Sequence, residues 1–254
     1  MRLSNAVAII TGGSSGFGKE FAKRICSRGG RVLLSDINEQ EGVATAASLQ
    51  QEFGVHCAAF RLHNVTEMDG FELLFDACQV LFKQPANLMI NNAGISGDGT
   101  FYDNTVPKVW TAIVDIDLTA VIRGTQVALN RMKATGGGVI INISSAAGLA
   151  PVQVVPVYAA AKWGVVGFSR SCAQVARQNN IRINVLCPSF ADSAMGRTAL
   201  LIPEIKEHID AVGGLMPISL VTDAMEQLVE NENANGKVMS VLPHGSKDHK
   251  FSRL

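Results

Sequence analysis

Short runs of apolar, β-branched residues alternate along the chain with longer helical patterns. Seven of the short runs read as strands: Ala6 to Thr11, Arg31 to Asp36, Val55 to Leu62, Asn87 to Asn91, Gly138 to Ser144, Ile181 to Cys187 and Lys237 to Val241. They are apolar throughout rather than alternating, the pattern of strands covered on both faces of a parallel sheet. The stretches between them are long enough for crossover helices, and strand–helix–strand units wind right-handed. The expected fold class is therefore α/β: a Rossmann-type, doubly wound parallel sheet of about seven strands with helices on both faces.

Boundary residues sharpen this reading. Thr66 before Glu67 and Asp69 predicts an N-cap with acidic residues in the first turn. Gly29-Gly30 predicts the end of the first helix, and Gly136-Gly137-Gly138 the end of a long one starting near Trp110. From about 191 to 220 no strand is visible. Pro203, Gly213-Gly214 and Pro217 interrupt a Met-, Leu- and Ile-rich stretch that reads as a helical lid. No linker-like segment divides the chain, so residues 1–254 are read as one domain.

Charge narrows the function classes. The 22 Lys and Arg balance 22 Asp and Glu, so there is no long-range pull on nucleic acid or anionic lipid. No apolar run is long enough to span a bilayer, so no membrane insertion is expected. The five cysteines are scattered without a CxxC pair, and the five histidines lack ligand spacing, so neither a metal nor a disulfide framework is expected. Reduced thiols and the lack of a signal-like N-terminus point to the cytoplasm.

Candidate chemistry begins at Thr11-Gly12-Gly13-Ser14-Ser15-Gly16-Phe17-Gly18, which follows the first strand and opens a helix. Gly12 permits the tight turn, Gly16 lets backbone approach a pyrophosphate, and Gly18 allows close helix–strand packing. Free N–H groups and the positive helix end then face the phosphates. Asp36, about twenty residues past the glycines, suits a ribose diol and repels a 2′-phosphate, favouring NAD over NADP. Ile37 beside it joins the cofactor set. Tyr158 and Lys162 lie four apart on one helix face. Interconverting an alcohol and a ketone requires a group that moves the hydroxyl proton, and a nearby ammonium favours the phenolate of Tyr158. Ser144 and Ser145 end the fifth strand, where the Ser145 hydroxyl can hold a substrate oxygen.

Taken together, Thr-Gly-x-x-x-Gly-x-Gly, Asn91-Asn92-Ala93-Gly94, Ser145 and Tyr158-x-x-x-Lys162 resemble a short-chain dehydrogenase/reductase of the roughly 250-residue type, over nearly the whole chain. The resemblance implies that Ser145 orients substrate, Tyr158 is the acid/base, and Lys162 activates Tyr158 and holds the nicotinamide ribose. It also implies that Asn91 and Gly94 wall the adenosine ribose, that Asn64-Val65 meets adenine, that Ser193 contacts the carboxamide, and that Ala93 and Pro188, the latter after the sixth strand, join the cofactor set. The stretches Ala147 to Pro151, Pro156 to Tyr158 and Gly164 to Phe168 resemble NAD-dependent 15-hydroxyprostaglandin dehydrogenases within that family.

One departure stands out. Asp117 aligns with the Asn of the family's four-residue catalytic set; an Asp is nearly isosteric but charged, and lacks the N–H₂ donor. Pairing with Lys162 would weaken the lysine's effect on Tyr158, so an altered pH optimum or reduced turnover is expected. On the substrate side, Val155 and Met195, with Val152, Val154, Leu200, Leu201, Ile202, Leu215 and Met216, would form an apolar mouth. That mouth would suit a lipid-, terpenoid- or steroid-like secondary alcohol or ketone. Arg197, Lys206 and His208 are lid charges that could meet a carboxylate. The resemblance further implies a homodimer or homotetramer. The alternative reading is an NAD(H)-binding sensor or scaffold with weakened catalysis.

Overall fold

The computed structural model describes residues 1–67, 69–97, 101–102 and 110–251. Its core is an eight-stranded sheet ordered β3-β2-β1-β4-β5-β6-β7-β8. The strands are β1 (Val7–Thr11), β2 (Arg31–Asp36), β3 (Ala58–Leu62), β4 (Leu88–Asn91), β5 (Gly138–Ile143), β6 (Ile181–Pro188), β7 (Val238–Leu242) and β8 (Gly245–Asp248). The first seven run parallel, and β8 pairs antiparallel to β7. The helices are α1 (Gly16–Ser27), α2 (Glu39–Phe53), α3 (Gly70–Phe82), α4 (Trp110–Val114), α5 (Ala120–Ala134), α6 (Pro156–Arg177), α7 (Ala194–Ala199), α8 (Pro203–Ala211) and α9 (Ile218–Glu230). A π-helical turn, Asp115–Thr119, joins α4 to α5.

All seven expected strands are present. β3 begins three residues later than the apolar pattern suggested, because Gly54 ends α2 at φ 107° and Cys57 N–H bonds back to the Gly54 carbonyl, closing a turn over Val55 and His56. The eighth strand was not anticipated. It is a polar, mostly exposed edge strand returning from β7 through Pro243 and His244, so no apolar run announces it.

The glycine stops behave as expected. Gly29 sits at φ 87° and Gly30 N–H reaches the Ile25 carbonyl at 3.0 Å, while Gly137 (φ 111°) donates to the Met132 carbonyl at 2.9 Å. The Thr66 cap does not form. α3 begins at Gly70, and Thr66 instead donates its N–H and hydroxyl to Asn64 Oδ1 in a local turn.

Two apolar clusters lie on the two faces of the sheet, one gathered around Phe21, Ile25 and Met225, the other around Phe71, Leu74 and Met132. Arg182, buried in β6, donates to the carbonyls of Leu228, Val229, Asn231 and Ala234, so a cation closes the carbonyl end of α9. The strand order turns around between β1 and β4. In such sheets the crevice at the carboxyl ends of those two strands is where ligands bind.

Candidate active site

The crevice is about 290 Å³ and is built from the ends of successive strands. Gly12, Ser15, Gly16 and Phe17 enter it from the turn after β1, and Asp36 and Ile37 from the end of β2. Asn64 and Val65 come from the end of β3, Ala93 and Gly94 from beyond β4, and Ser193 and Met195 from the start of α7. Tyr158 and Lys162 close it on the α6 side. Gly12 and Gly16 have φ of 62° and 50°, and a Cβ on Gly16 would meet only the Ser193 Cβ, at 3.8 Å. At Gly16 the turn thus presents backbone to open space, as a phosphate cradle requires, while Gly12 packs against Ala93, whose Cα would lie 2.9 Å from an added Cβ. Ser193 caps α7, its hydroxyl accepting from Gly196 N–H at 3.1 Å.

Behind the crevice lies its support. Ser14 is buried and gives both its N–H and its hydroxyl to Asp36, while Asn38 N–H donates to the other carboxylate oxygen at 3.1 Å. Gly18 packs on the turn itself: a Cβ there would stand 2.3 Å from the Gly12 carbonyl oxygen. Asn92, which sequence reasoning left without a role, donates through Nδ2 to the carbonyls of Thr11 (2.9 Å) and Gly12 (3.0 Å), tying the glycine turn to β4. Its only sequence signal was its place in the Asn-Asn-Ala-Gly motif.

Three of the expected site residues are not among those that line this crevice. Asn91 does not wall the crevice; its side chain is buried between β4, β5 and α5, donating to Thr125 Oγ1 (3.2 Å) and Asn142 Oδ1 (2.7 Å). Asn91 is the last residue of β4 and Asn92 the first past it, and their side chains hold different partners. Pro188 is buried as the last residue of β6, paired with Val241, and does not line the crevice. Val155, 8% exposed, packs on Gly97 rather than on the crevice wall. The apolar mouth is also thinner than expected. Val154, Leu200, Ile202 and Leu215 pack around Ile205 and Ile209 in a small lid core, and Met216 is buried in the main core. Met195, 41% exposed, is left on the crevice wall. Arg197 is paired with Asp192 at 2.7 Å, and Lys206 with Asp210.

His63 is a wall residue that sequence reasoning missed. Its Nδ1 lies 3.0 Å from Ser35 Oγ, its ring meets Phe71 edge-on, and burial pushes its pKa below the usual histidine range. A Cβ on Gly70 would stand 2.1 Å from His63 Nε2, so the first residue of α3 is glycine to make room for this ring. Gly70→Ala is expected to displace His63 and the adjoining Asn64-Val65 wall and to weaken dinucleotide affinity by about tenfold, on the scale of a core overpacking cost. Calorimetric titration with NADH checks this; unchanged affinity would refute it.

At the other end of the crevice, Lys162 Nζ lies 5.4 Å from the centroid of the Tyr158 ring, 3.4 Å from the Ile143 carbonyl and 3.7 Å from Asp117 Oδ1. Asp117 is fully buried in the π-turn; its Oδ1 accepts from Ile95 N–H at 2.9 Å and its Oδ2 has no hydrogen-bond partner among the described residues. A Cβ on Gly94 would stand 2.8 Å from Asp117 Oδ1, so this glycine leaves room for the carboxylate beside Lys162. Burial pushes the Tyr158 phenol up; Lys162 pulls it down, Asp117 pushes it up, and the hydrogen bond with Ser145 pulls it down. Burial likewise raises the Asp117 carboxyl, with Lys162 and the Ile95 N–H acting against it. Ser145 accepts from Ala147 N–H at 3.2 Å, and Ser144 is buried with its hydroxyl on the Lys162 carbonyl at 2.9 Å, fixing the catalytic helix to β5. The geometry sets a phenol and an ammonium side by side in the same cleft as the glycine turn.

Known proteins resemble this chain over most of its length. The model of the short chain dehydrogenase family matches residues 6–200. The chain is 33% identical to the 15-hydroxyprostaglandin dehydrogenase [NAD(+)] of Mus musculus, covering 95% of this chain and 91% of the relative. It is 33% identical to a 3-alpha-(or 20-beta)-hydroxysteroid dehydrogenase of Mycobacterium tuberculosis over 76% of this chain and 72% of that one. Among solved structures it superposes on levodione reductase with a TM-score of 0.86 at 24% identity, covering 96% of this chain and 98% of that one, a likeness of fold.

Proposed function

This chain belongs to the short chain dehydrogenase family, and from that footing we propose that it interconverts a secondary alcohol and a ketone, using NAD, with Tyr158 as acid and base. The observation that carries the reading is that Tyr158, Lys162 and the glycine turn line one crevice with Asp36 at its far end. The residues present fit the dinucleotide: an open glycine cradle lies at a helix start, and a carboxylate held in place by Ser14 and Asn38 suits a ribose diol. Bound there, the nicotinamide accepts the carbinol hydride or returns it.

The chain's own residues do the rest. In oxidation, the Tyr158 phenolate takes the hydroxyl proton as the C–H bond breaks; in reduction, the Tyr158 hydroxyl gives that proton to the carbonyl oxygen. The Ser145 hydroxyl holds the same oxygen beside the phenol. Lys162 keeps a positive charge next to the ring and favours phenolate. Met195, Ile95 and Ile116 make the adjoining wall apolar, which supports a small apolar alcohol or ketone as the substrate.

The test is absorbance at the NADH band with NAD and a panel of hydroxylated lipids, terpenoids, steroids and small alcohols. Turnover supports the reading; tight NADH binding with no turnover on any of them supports a binding-only protein instead. Cofactor choice is tested at the other end. Asp36→Ala removes the charge that repels a 2′-phosphate, and the ratio of kcat/KM with NAD to that with NADP is expected to fall about tenfold or more. An unchanged ratio would remove Asp36 from the specificity argument.

A further inference from the structure

Lys162 is 5% exposed at its side chain and Asp117 0%. Among the described residues, the ammonium reaches, besides the carboxylate, the carbonyl of Ile143 and the face of Tyr158. Protonating Asp117 would leave a buried cation without its anion, and removing one partner of a buried pair is the costly arrangement. The Ile95 N–H, aimed at Oδ1, also favours the ionised carboxylate. With both groups ionised, against the pull of burial on the carboxyl, the pair carries no net charge where a neutral Asn at the same position would leave one full positive charge.

We propose that Asp117 is a positioning residue that keeps Tyr158 a proton donor: by pairing with Lys162 it cancels the ammonium's pull on the phenol, and the site favours carbonyl reduction near neutral pH over alcohol oxidation. This rests on Tyr158 being the acid/base. In the favoured direction the Tyr158 hydroxyl gives its proton to the carbonyl oxygen, whose π pair forms the new O–H bond, as the carbonyl carbon takes up the hydride that a bound reduced nicotinamide would supply. The phenolate left behind is reprotonated from solvent. The groups facing Tyr158 are Lys162 from α6, Asp117 from the π-turn, Ser145 from the end of β5 and Cys187 from β6. Burial pushes the Cys187 thiol up to about 12, so it stays neutral and adds no working charge. Asp117 is thus the negative group in the set.

The sign of the effect follows. Removing the carboxylate leaves Lys162 to act on the phenol alone and lowers the pH at which phenolate forms, by about one unit for one nearby charge. Asp117→Asn is expected to move the acid limb of alcohol oxidation and the basic limb of ketone reduction to lower pH together. Asp117→Ser, also neutral, should move them the same way. A merely structural role would lower turnover at every pH and leave both limbs where they are.

A second readout needs no turnover. The chain has two tyrosines, and Tyr102 is exposed. In a Tyr102→Phe background Tyr158 is the sole tyrosine, and its ring-carbon NMR shift in the apoprotein titrates it directly. A midpoint about one unit lower with Asp117→Asn supports the proposal. Limbs and midpoint that stay in place overturn it. If instead Tyr158→Phe keeps full turnover, it is the acid/base reading that fails, and the Asp117 proposal with it.

Discussion

Replacing Tyr158 with Phe is expected to reduce turnover by about 10²- to 10⁴-fold, the usual range for removing a general acid or base. The substitution deletes one hydroxyl and keeps the ring. The Lys162 ammonium over its face, the start of α6 and the Ser144–Lys162 backbone contact all survive. NADH affinity should therefore change little, and that contrast is what makes the experiment decisive. Loss of turnover with NADH binding retained assigns the proton-transfer step to Tyr158. Loss of both would mean that the ring had moved and that the result reports on folding. Turnover near the parent level would send the search for the acid/base to another residue at the same end of the crevice, with Ser145 first.

Gly18→Ala should remove cofactor binding by a different physical route. The new Cβ would stand 2.3 Å from the Gly12 carbonyl oxygen, 2.9 Å from Asn92 Nδ2 and 3.0 Å from Gly13 Cα. Two of those three atoms are backbone, so no side chain can swing aside to relieve the contact. Either the first turn of α1 lifts off the glycine turn or the turn itself opens, and Asn92 loses its grip on the Thr11 and Gly12 carbonyls. Overpacking of this kind costs about 1–3 kcal/mol. Spent on the cofactor-ready conformation, that is about 10- to 100-fold in NADH affinity. Spent on the fold, it is a fall in Tm of several degrees for a chain of this length. Fluorescence titration with NADH and a thermal melt separate the two; a variant unchanged in both would show that the α1–turn contact is not constraining.

Much of this was legible in one dimension. Parallel strands covered on both faces must be apolar on both, so the interior strands were visible as apolar runs, while the edge strand β3, with Arg61 and Leu62 exposed, was visible by its apolar start. A tight turn that lets backbone approach a phosphate needs glycine, so Gly12, Gly16 and Gly18 marked the cradle. Spacing of four on a helix puts Tyr158 and Lys162 on one face. The polar edge strand β8 was silent because a strand half in water needs no apolar run.

What only the tertiary structure decided is which neighbours the distant residues meet. Asn91 ends β4 with its side chain in the interior, and Asn92, the first residue past the strand, turns the other way to the glycine turn. Close approach explained Gly70 by the ring of His63 and Gly94 by the carboxylate of Asp117, residues 7 and 23 positions away in sequence. The lid's apolar residues proved to pack on one another, because a helix pair outside the main core must bury its own apolar face. The Asp117–Lys162 pair joins positions 45 apart. The residue types forecast that a charge would stand there, but its effect on Tyr158 depends on burial and on a distance that only the folded chain sets, since a charge acts strongly on a neighbour where water is excluded between them.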